Sequence, residues 1–272
     1  MMQARTTARG DVMVSEHYGR VDNPAKVIVD DLDGDVTIER LATVDEFHLG
    51  GARATAALID DLDLGASDRV IDIGCGIGGP ARRMASTVGC RVLGVDLTPS
   101  FVESARQLTQ LTGLDDLVEF VVGDATALDL DGPFDAATLV HVGMNIEDKA
   151  AFFSAVAQLV KPGGRLGVFD IMAVGDPSTV GYPMPFAASA DQAFLSSPKA
   201  YVEALRAAGF DVAEPVDRTQ LALEAAAEAA GHGPPPVSLA TLMGPEFASM
   251  FANVGAALRN NVLAPVEIIA TR

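Results

Sequence analysis

Residues 70–80 read Val70-Ile71-Asp72-Ile73-Gly74-Cys75-Gly76-Ile77-Gly78-Gly79-Pro80. The β-branched run predicts a strand, the glycines a tight turn, and Pro80 the first turn of a helix. Glycine lets such a turn take positive φ and lets a ligand approach the backbone. Written as Gly74-x-Gly76-x-x-Gly79, the turn matches the dinucleotide fingerprint. The next predicted strand, residues 91–96, ends in Asp96. That acid follows Gly76 by about 20 residues, the spacing of a carboxylate that grips a ribose diol.

Working outward, strands and helices alternate. Residues 80–88 predict a helix. A second helix, 99–112, has Thr98 as its N-cap and Pro99 at its first position. Residues 118–122 and 134–141 predict strands. A helix over 146–160 has Asn145 as its cap and Asp148 at N3, and Lys161-Pro162-Gly163-Gly164 predicts a turn before a strand over 165–170. This rhythm predicts a doubly wound α/β fold: a parallel sheet with helices on both faces and right-handed crossovers. After Ile171 the rhythm changes. Residues 175–185 predict a long loop and 197–208 a helix. Residues 210–216 and 266–271 predict two final strands, and helices over 220–230 and 239–258 flank the breaker at 232–236. Upstream, residues 37–64 are helical and split at Gly50-Gly51. Residues 1–35 are polar and acidic and predict a flexible arm or lid. The organisation expected is one domain over 36–272, with its core at 66–172 and cap elements at 36–64, 173–200 and 219–260.

The chain has 272 residues, 49% of them hydrophobic, enough to bury a substantial core. Nineteen Lys and Arg stand against 37 Asp and Glu, a formal net charge of −18. Such a surface repels phosphate backbones and speaks against a nucleic-acid partner. Cys75 and Cys90 make neither a disulfide framework nor a zinc set, and His17, His48, His141 and His232 show no metal-ligand spacing. Neither a signal peptide nor an apolar run of membrane-spanning length is read, so no membrane partner is expected, and the cytoplasm is the expected location. A homodimer is left open.

The neighbours of the glycine turn narrow its ligand. A pyrophosphate needs free N–H groups at the helix start, but Asp72 brings an acid and Pro80 removes an N–H. Both features disfavour a nicotinamide dinucleotide. An acid before the loop suits an ammonium group, and S-adenosylmethionine carries an ammonium, a sulfonium, a ribose diol and an adenine without any phosphate. Here the chain resembles the class I S-adenosylmethionine-dependent methyltransferases over about residues 36–172. Asp72 to Pro80 resembles the motif that wraps the methionine part of the cofactor, with Gly74, Gly76 and Gly78 in the loop. Gly94-Val95-Asp96-Leu97 resembles the ribose motif, Gly123-Asp124-Ala125 the adenine motif, and Val160 to Leu166 the turn before the fifth strand. The resemblance implies a Rossmann-like seven-stranded sheet, mostly parallel and ending in an antiparallel hairpin, with an N-terminal helical cap. Gly74 to Arg82, with Glu46-Phe47-His48-Leu49-Gly50-Gly51 upstream, is similar to small-molecule branches: glycine-betaine-type, sterol and quinone, and natural-product sugar methyltransferases.

Methyl transfer is an in-line displacement, so the enzyme aligns two ligands and deprotonates a hydroxyl or ammonium acceptor. His141 and Asp170 end the fourth and fifth strands, where open α/β sheets bind ligands. They are the candidate base and its carboxylate partner, and the pair resembles the His and Asp of natural-product sugar O-methyltransferases. His141 is also a candidate cofactor contact. His48 is a second candidate, and Tyr18 is expected to close over the cofactor, as N-terminal aromatics do in similar enzymes. Cys75 reads as a small filler between glycines, and no Gly-x-Ser-x-Gly elbow is present. Met and Phe residues of the C-terminal half are expected in core or pocket wall. The expected acceptor is a small molecule methylated on a hydroxyl. The alternatives are N- or C-methylation of an amine, quinone or terpenoid, and a non-methylating S-adenosylmethionine-binding protein such as a cyclase.

Overall fold

The structure, a computed structural model, describes residues 21–127, 130–231 and 237–272. Its frame is a mixed sheet of β1 (Arg69–Ile73), β2 (Arg91–Asp96), β3 (Val118–Val122), β4 (Phe134–Val140), β5 (Val160–Ala173), β6 (Asp211–Val212), β7 (Val216–Asp217) and β8 (Leu263–Thr271). The order is β3-β2-β1-β4-β5-β8-β6, with β7 also on β8. The first five strands run parallel, and β8 lies antiparallel to β5 from Arg165↔Thr271 to Ala173↔Leu263. The order reverses between β1 and β4. A crevice therefore opens at the carboxyl ends of the strands there.

Alternating side chains feed two apolar layers. Val70 and Val92 pack under α3 (Gly51–Leu62), α4 (Gly79–Val88) and α5 (Pro99–Leu111) through Ile59, Met84 and Val102. Ile71 and Val168 pack under α6 (Lys149–Leu159) and α7 (Pro198–Ala207) through Phe153, Val156 and Leu205. The remaining helices are α1 (Pro24–Asp31) and α2 (Ile38–Asp45) before the sheet, and α8 (Thr219–Gly231), α9 (Leu239–Met243) and α10 (Phe247–Arg259) before β8. Among the described residues no helix is long and apolar enough to cross a membrane.

Several boundaries differ from the sequence expectation, each for a local reason. The single strand expected over 210–216 is divided into β6 and β7, because Pro215 has no N–H to give to β8. The sheet therefore has eight strands, not seven. Lys161-Pro162-Gly163-Gly164 is not a turn before β5 but an irregularity within it, marked by a register shift between Phe134 and Ala136 of β4. Gly163 N–H donates to the Arg272 carbonyl at 2.6 Å, tying the irregularity to the end of β8. Helix α6 starts at Lys149, not Ile146. Its cap is Asp148, which accepts the Ala151 N–H at 2.9 Å, while Asn145 donates instead to the Phe186 carbonyl at 2.8 Å. Gly244, at φ +75°, breaks the helix expected over 239–258 into α9 and α10. Residues 24–31 of the expected arm form α1, with Ala25 and Ile28 buried and Ala25 N–H donating to Ser104 Oγ on α5 at 3.1 Å. His17 and Tyr18 lie outside the described residues.

Candidate active site

The turn after β1 is built as its glycines require. Gly74, Gly76 and Gly78 have φ of 73°, 54° and 87°, a region that β-carbon-bearing residues rarely enter. The Gly74 and Cys75 N–H groups donate to the Val95 carbonyl at 2.8 and 3.1 Å, which pins the turn to β2. Gly76 N–H donates to Asp96 Oδ2 at 2.9 Å and Thr98 N–H to Asp96 Oδ1 at 2.8 Å. The Asp96 carboxyl is thereby held at the tip of β2, and burial raises its pKa. Asp72 is buried in β1, where Thr138 Oγ1 donates to its Oδ1 at 2.7 Å and Oδ2 has no partner among the described residues. Burial pushes this carboxyl up to about 7. Asp124 follows β3 and accepts on Oδ1 from Thr126 N–H at 2.8 Å and Thr126 Oγ1 at 2.6 Å.

Asp72, Gly74, Gly76, Asp96 and Asp124 line one cavity of about 620 Å³, together with Leu97, Ala125 and His141, whereas Gly78 does not line it and packs against Phe120 and Arg82. Its size is that of a small-molecule site. The rest of its wall is apolar, with Leu49, Met144, Phe186, Phe194, Met243 and Phe251 among its members. Four of the Met and Phe residues expected in core or wall thus face the cavity, while Met172, Met184 and Met250 are buried. Cys75 lines the cavity and is itself buried, and burial raises its thiol pKa well above the ordinary value, which fits a packing role.

His141 follows β4 directly, with φ 53°, and stacks on Phe169, centroids 5.6 Å apart and planes 9° apart. Its Nε2 is buried without a partner among the described residues, and burial together with neighbouring His48 holds its pKa well below the usual imidazole range. The His48 ring meets it in a T-shaped pair, centroids 5.7 Å apart with 65° between the planes, and also lines the cavity. Burial lowers its pKa to about 4.

The pairing of His141 with Asp170 is not formed. Successive side chains of β5 face opposite ways. Phe169 meets His141, whereas Asp170 turns to the other face. There its Oδ2 accepts from the Tyr201 hydroxyl at 2.8 Å and its Oδ1 from Ile171 N–H at 2.9 Å. Asp170 is fully buried, does not line the cavity, and is pushed up to about 7 by burial.

The sequence reading passed over the polar seam that joins the N-terminal cap to the sheet. Arg82 on α4 is fully buried and donates to Asp45 Oδ2 at 2.7 Å and to the Ile77 carbonyl at 2.8 Å. Beside it, Arg83 Nε donates to Glu46 Oε1 and Thr55 Oγ1 donates to Glu46 Oε2 at 2.6 Å. Glu46 and Arg82 stand inside the two quoted motifs. The only signal of burial was the run of small residues at Gly78, Gly79 and Ala81 around Arg82.

Residues 71–168 match a family model described as a methyltransferase domain. Over these residues the chain is similar to methyltransferase domains. Such a domain implies S-adenosylmethionine as cofactor. The chain is 33% identical over 135 residues to "Methyltransferase GfsG" of Streptomyces halstedii, covering 49% of each protein. It is 43% identical over 102 residues to 2-methyl-6-phytyl-1,4-hydroquinone methyltransferase of Synechocystis, covering 37% of this chain and 31% of that protein. It thus spans from about a third to about half the length of these curated relatives. The fold matches geranyl diphosphate C-methyltransferase from Streptomyces coelicolor A3(2), solved with S-adenosyl-L-homocysteine. The TM-score is 0.67 at 18% identity, over 98% of each chain. The matched domain, 71–168, holds the glycine turn, Asp96, Asp124 and His141. His48, Asp170 and much of the apolar wall lie outside it.

Proposed function

We propose that this chain transfers a methyl group from S-adenosylmethionine to a small apolar acceptor, and that the receiving atom is a hydroxyl oxygen. The observation that carries this reading is that an acidic, glycine-lined side and an apolar side meet in one cavity, with an uncharged His141 in the wall. The acidic side fits the chemistry of the cofactor. Asp72 Oδ2, buried without a partner, suits the ammonium group. Asp96 accepts two N–H bonds and, as a carboxylate with about four acceptor positions, retains capacity for a ribose diol. Asp124 and Ala125 suit the adenine edge. When bound, the cofactor supplies a methyl group activated on a sulfonium. His141 is uncharged at neutral pH, so one of its ring nitrogens keeps a lone pair that can accept a hydroxyl proton. The net charge of −18 supports a small molecule rather than a nucleic acid as partner.

One observation favours a second reading. Phe152, Phe186, Phe194 and Phe251 also line the cavity, and aromatic faces stabilise a carbocation of the kind formed when an alkene carbon is methylated. The two readings separate in one experiment. Cofactor with an isotopically labelled methyl group is offered with apolar alcohols, phenols and alkenes, and transfer is followed against pH. On the hydroxyl reading, label enters the alcohols or phenols, the rate rises with pH along an acid limb, and His141→Asn lowers kcat by about 10²–10⁴-fold with cofactor affinity unchanged. Transfer to alkenes at a rate indifferent to pH assigns the second reading. Tight cofactor binding with transfer to no acceptor class leaves a non-methylating protein.

A further inference from the structure

If His141 takes a proton, it becomes a buried cation, and a buried cation without a counter-charge is costly. Asp170 does not supply the counter-charge, because its carboxyl lies on the opposite face of β5 with Tyr201. Another carboxylate lies on the correct face. Glu46, in the turn after α2, is 4% exposed and sits behind His48. His48 Nε2 is 3.1 Å from the Gly51 carbonyl oxygen, 3.0 Å from Thr55 Oγ1 and 3.7 Å from Glu46 Oε2. A carbonyl and a carboxylate can only accept, so Nε2 carries the hydrogen and Nδ1 keeps its lone pair. His48 is thereby fixed in one tautomer, with its ring centroid 5.7 Å from that of His141 and 65° between the ring planes.

We propose that Glu46 is a positioning residue of the transfer: acting through His48, it supports the positive charge that His141 acquires. This rests on reading His141 as the group that takes the hydroxyl proton. In that step the proton passes to His141, and the oxygen uses the freed electron pair to bond the methyl carbon. The carbon–sulfur bond breaks toward sulfur, and the proton returns to water after the product leaves. The logic is that of any oriented base: one group takes the proton, a second fixes tautomer and orientation, and a carboxylate balances the charge. The other groups around the pair are accounted for. Arg83 on α4 offsets part of the Glu46 charge and also acts on His48, Asp45 acts on His48 as well although it is paired with Arg82, and Thr55 on α3 bridges Glu46 and His48. Asp72 on β1 is close enough to feel Glu46, and Phe169 on β5 supplies an uncharged stacking face.

Two substitutions give opposite signs. Glu46→Gln keeps the shape and removes the negative charge. The imidazolium becomes harder to form, so the titration of His141 and the acid limb of kcat move to lower pH by about one unit. The plateau of kcat falls about tenfold, because a weaker base drives the transfer less well. Arg83→Gln removes the offsetting positive charge and moves both titrations to higher pH. Cofactor affinity stays within about twofold in both variants, since neither residue belongs to the glycine turn or its acids. The titration of His141 is read by NMR in the protein without ligands, and long-range nitrogen–proton correlations are expected to report the Nε2–H tautomer of His48. Shifts of the same sign in both variants, no shift in either, or an Nδ1–H tautomer for His48 overturns the proposal. If Glu46→Gln does not fold, Arg83→Gln alone decides. The NMR titration stands apart from turnover, so absence of methyl transfer to hydroxyls refutes the reading of the site and leaves the role of Glu46 to be judged by the titration.

Discussion

Asp72 lies 1% exposed at the end of β1, with one oxygen bonded to Thr138 and the other unpartnered, and its carboxyl is pushed up to about 7. Its place was legible in the sequence, since an acid before a glycine turn favours a cation over a phosphate. Its protonation was not, because that depends on how completely β2, β4 and α4 exclude water. The raised pKa has a measurable sign. At pH 5.5 the free protein holds Asp72 mostly neutral, and an ammonium ligand requires it ionised. Affinity for S-adenosylmethionine is therefore expected to rise about tenfold between pH 5.5 and 7, a range in which an α-amino group stays charged. Calorimetry in buffers of different ionisation enthalpy should show a proton released on binding at the lower pH. Asp72→Asn should weaken binding and flatten the dependence. Equal dissociation constants for the wild type across that range would remove Asp72 from the ammonium site.

Helix α4 shows what the spacing of elements could and could not convey. The turn–helix junction was readable from Gly78, Gly79 and Pro80, and the five parallel strands were readable from short β-branched runs between glycines. The boundaries that moved are those set by tertiary partners. Asn145 left its capping role for the Phe186 carbonyl, and the Lys161–Gly164 stretch was drawn into β5 by the bonds that Gly163 and Gly164 exchange with Arg272. Nor could spacing reveal that the end of α2 sits directly on α4. A β-carbon at Gly79 would come within 2.2 Å of the Asp45 carbonyl oxygen, a backbone atom with little freedom to move. Gly79→Ala should therefore force the cap away from the sheet and cost about 1–3 kcal/mol, the usual range for overpacking. Because Asp45 and Glu46 follow the displaced segment, activity should fall further than stability. Chemical denaturation alongside kcat checks both, and a variant of unaltered stability would show that α2 is not seated on Gly79.

At the level of the whole molecule, the cavity draws its walls from segments near residues 48, 74, 96, 141, 186 and 243. No local pattern connects residues so far apart, which is why the cofactor side was legible and the acceptor side was not. Burial of so many ionisable groups also sets how stability responds to pH. Asp72, Asp170 and Glu267 are pushed up to about 7 and Asp45 to about 6, from ordinary values of 3.8 and 4.5. Between about pH 4 and 7 the folded chain keeps protons that the unfolded chain has released, so these acids stabilise less as pH rises. His48, lowered to about 4, and His141, also lowered, act in the opposite sense up to pH 6.5. Four groups outweigh two, and the acidic surface adds repulsion as its charge grows. The ligand-free protein should melt at a lower temperature at pH 7.5 than at pH 5.5 by calorimetry. A higher Tm at pH 7.5 would mean that these carboxyls are hydrated. The same acidity bears on how a catalytic cycle ends. S-adenosylmethionine carries one net positive charge, and the homocysteine product that remains after transfer carries none. On the proposed reading, an anionic cavity within an anionic molecule should hold the first more strongly than the second, so that spent cofactor departs while fresh cofactor is drawn in. Added salt should narrow that preference and make inhibition by S-adenosylhomocysteine relatively stronger.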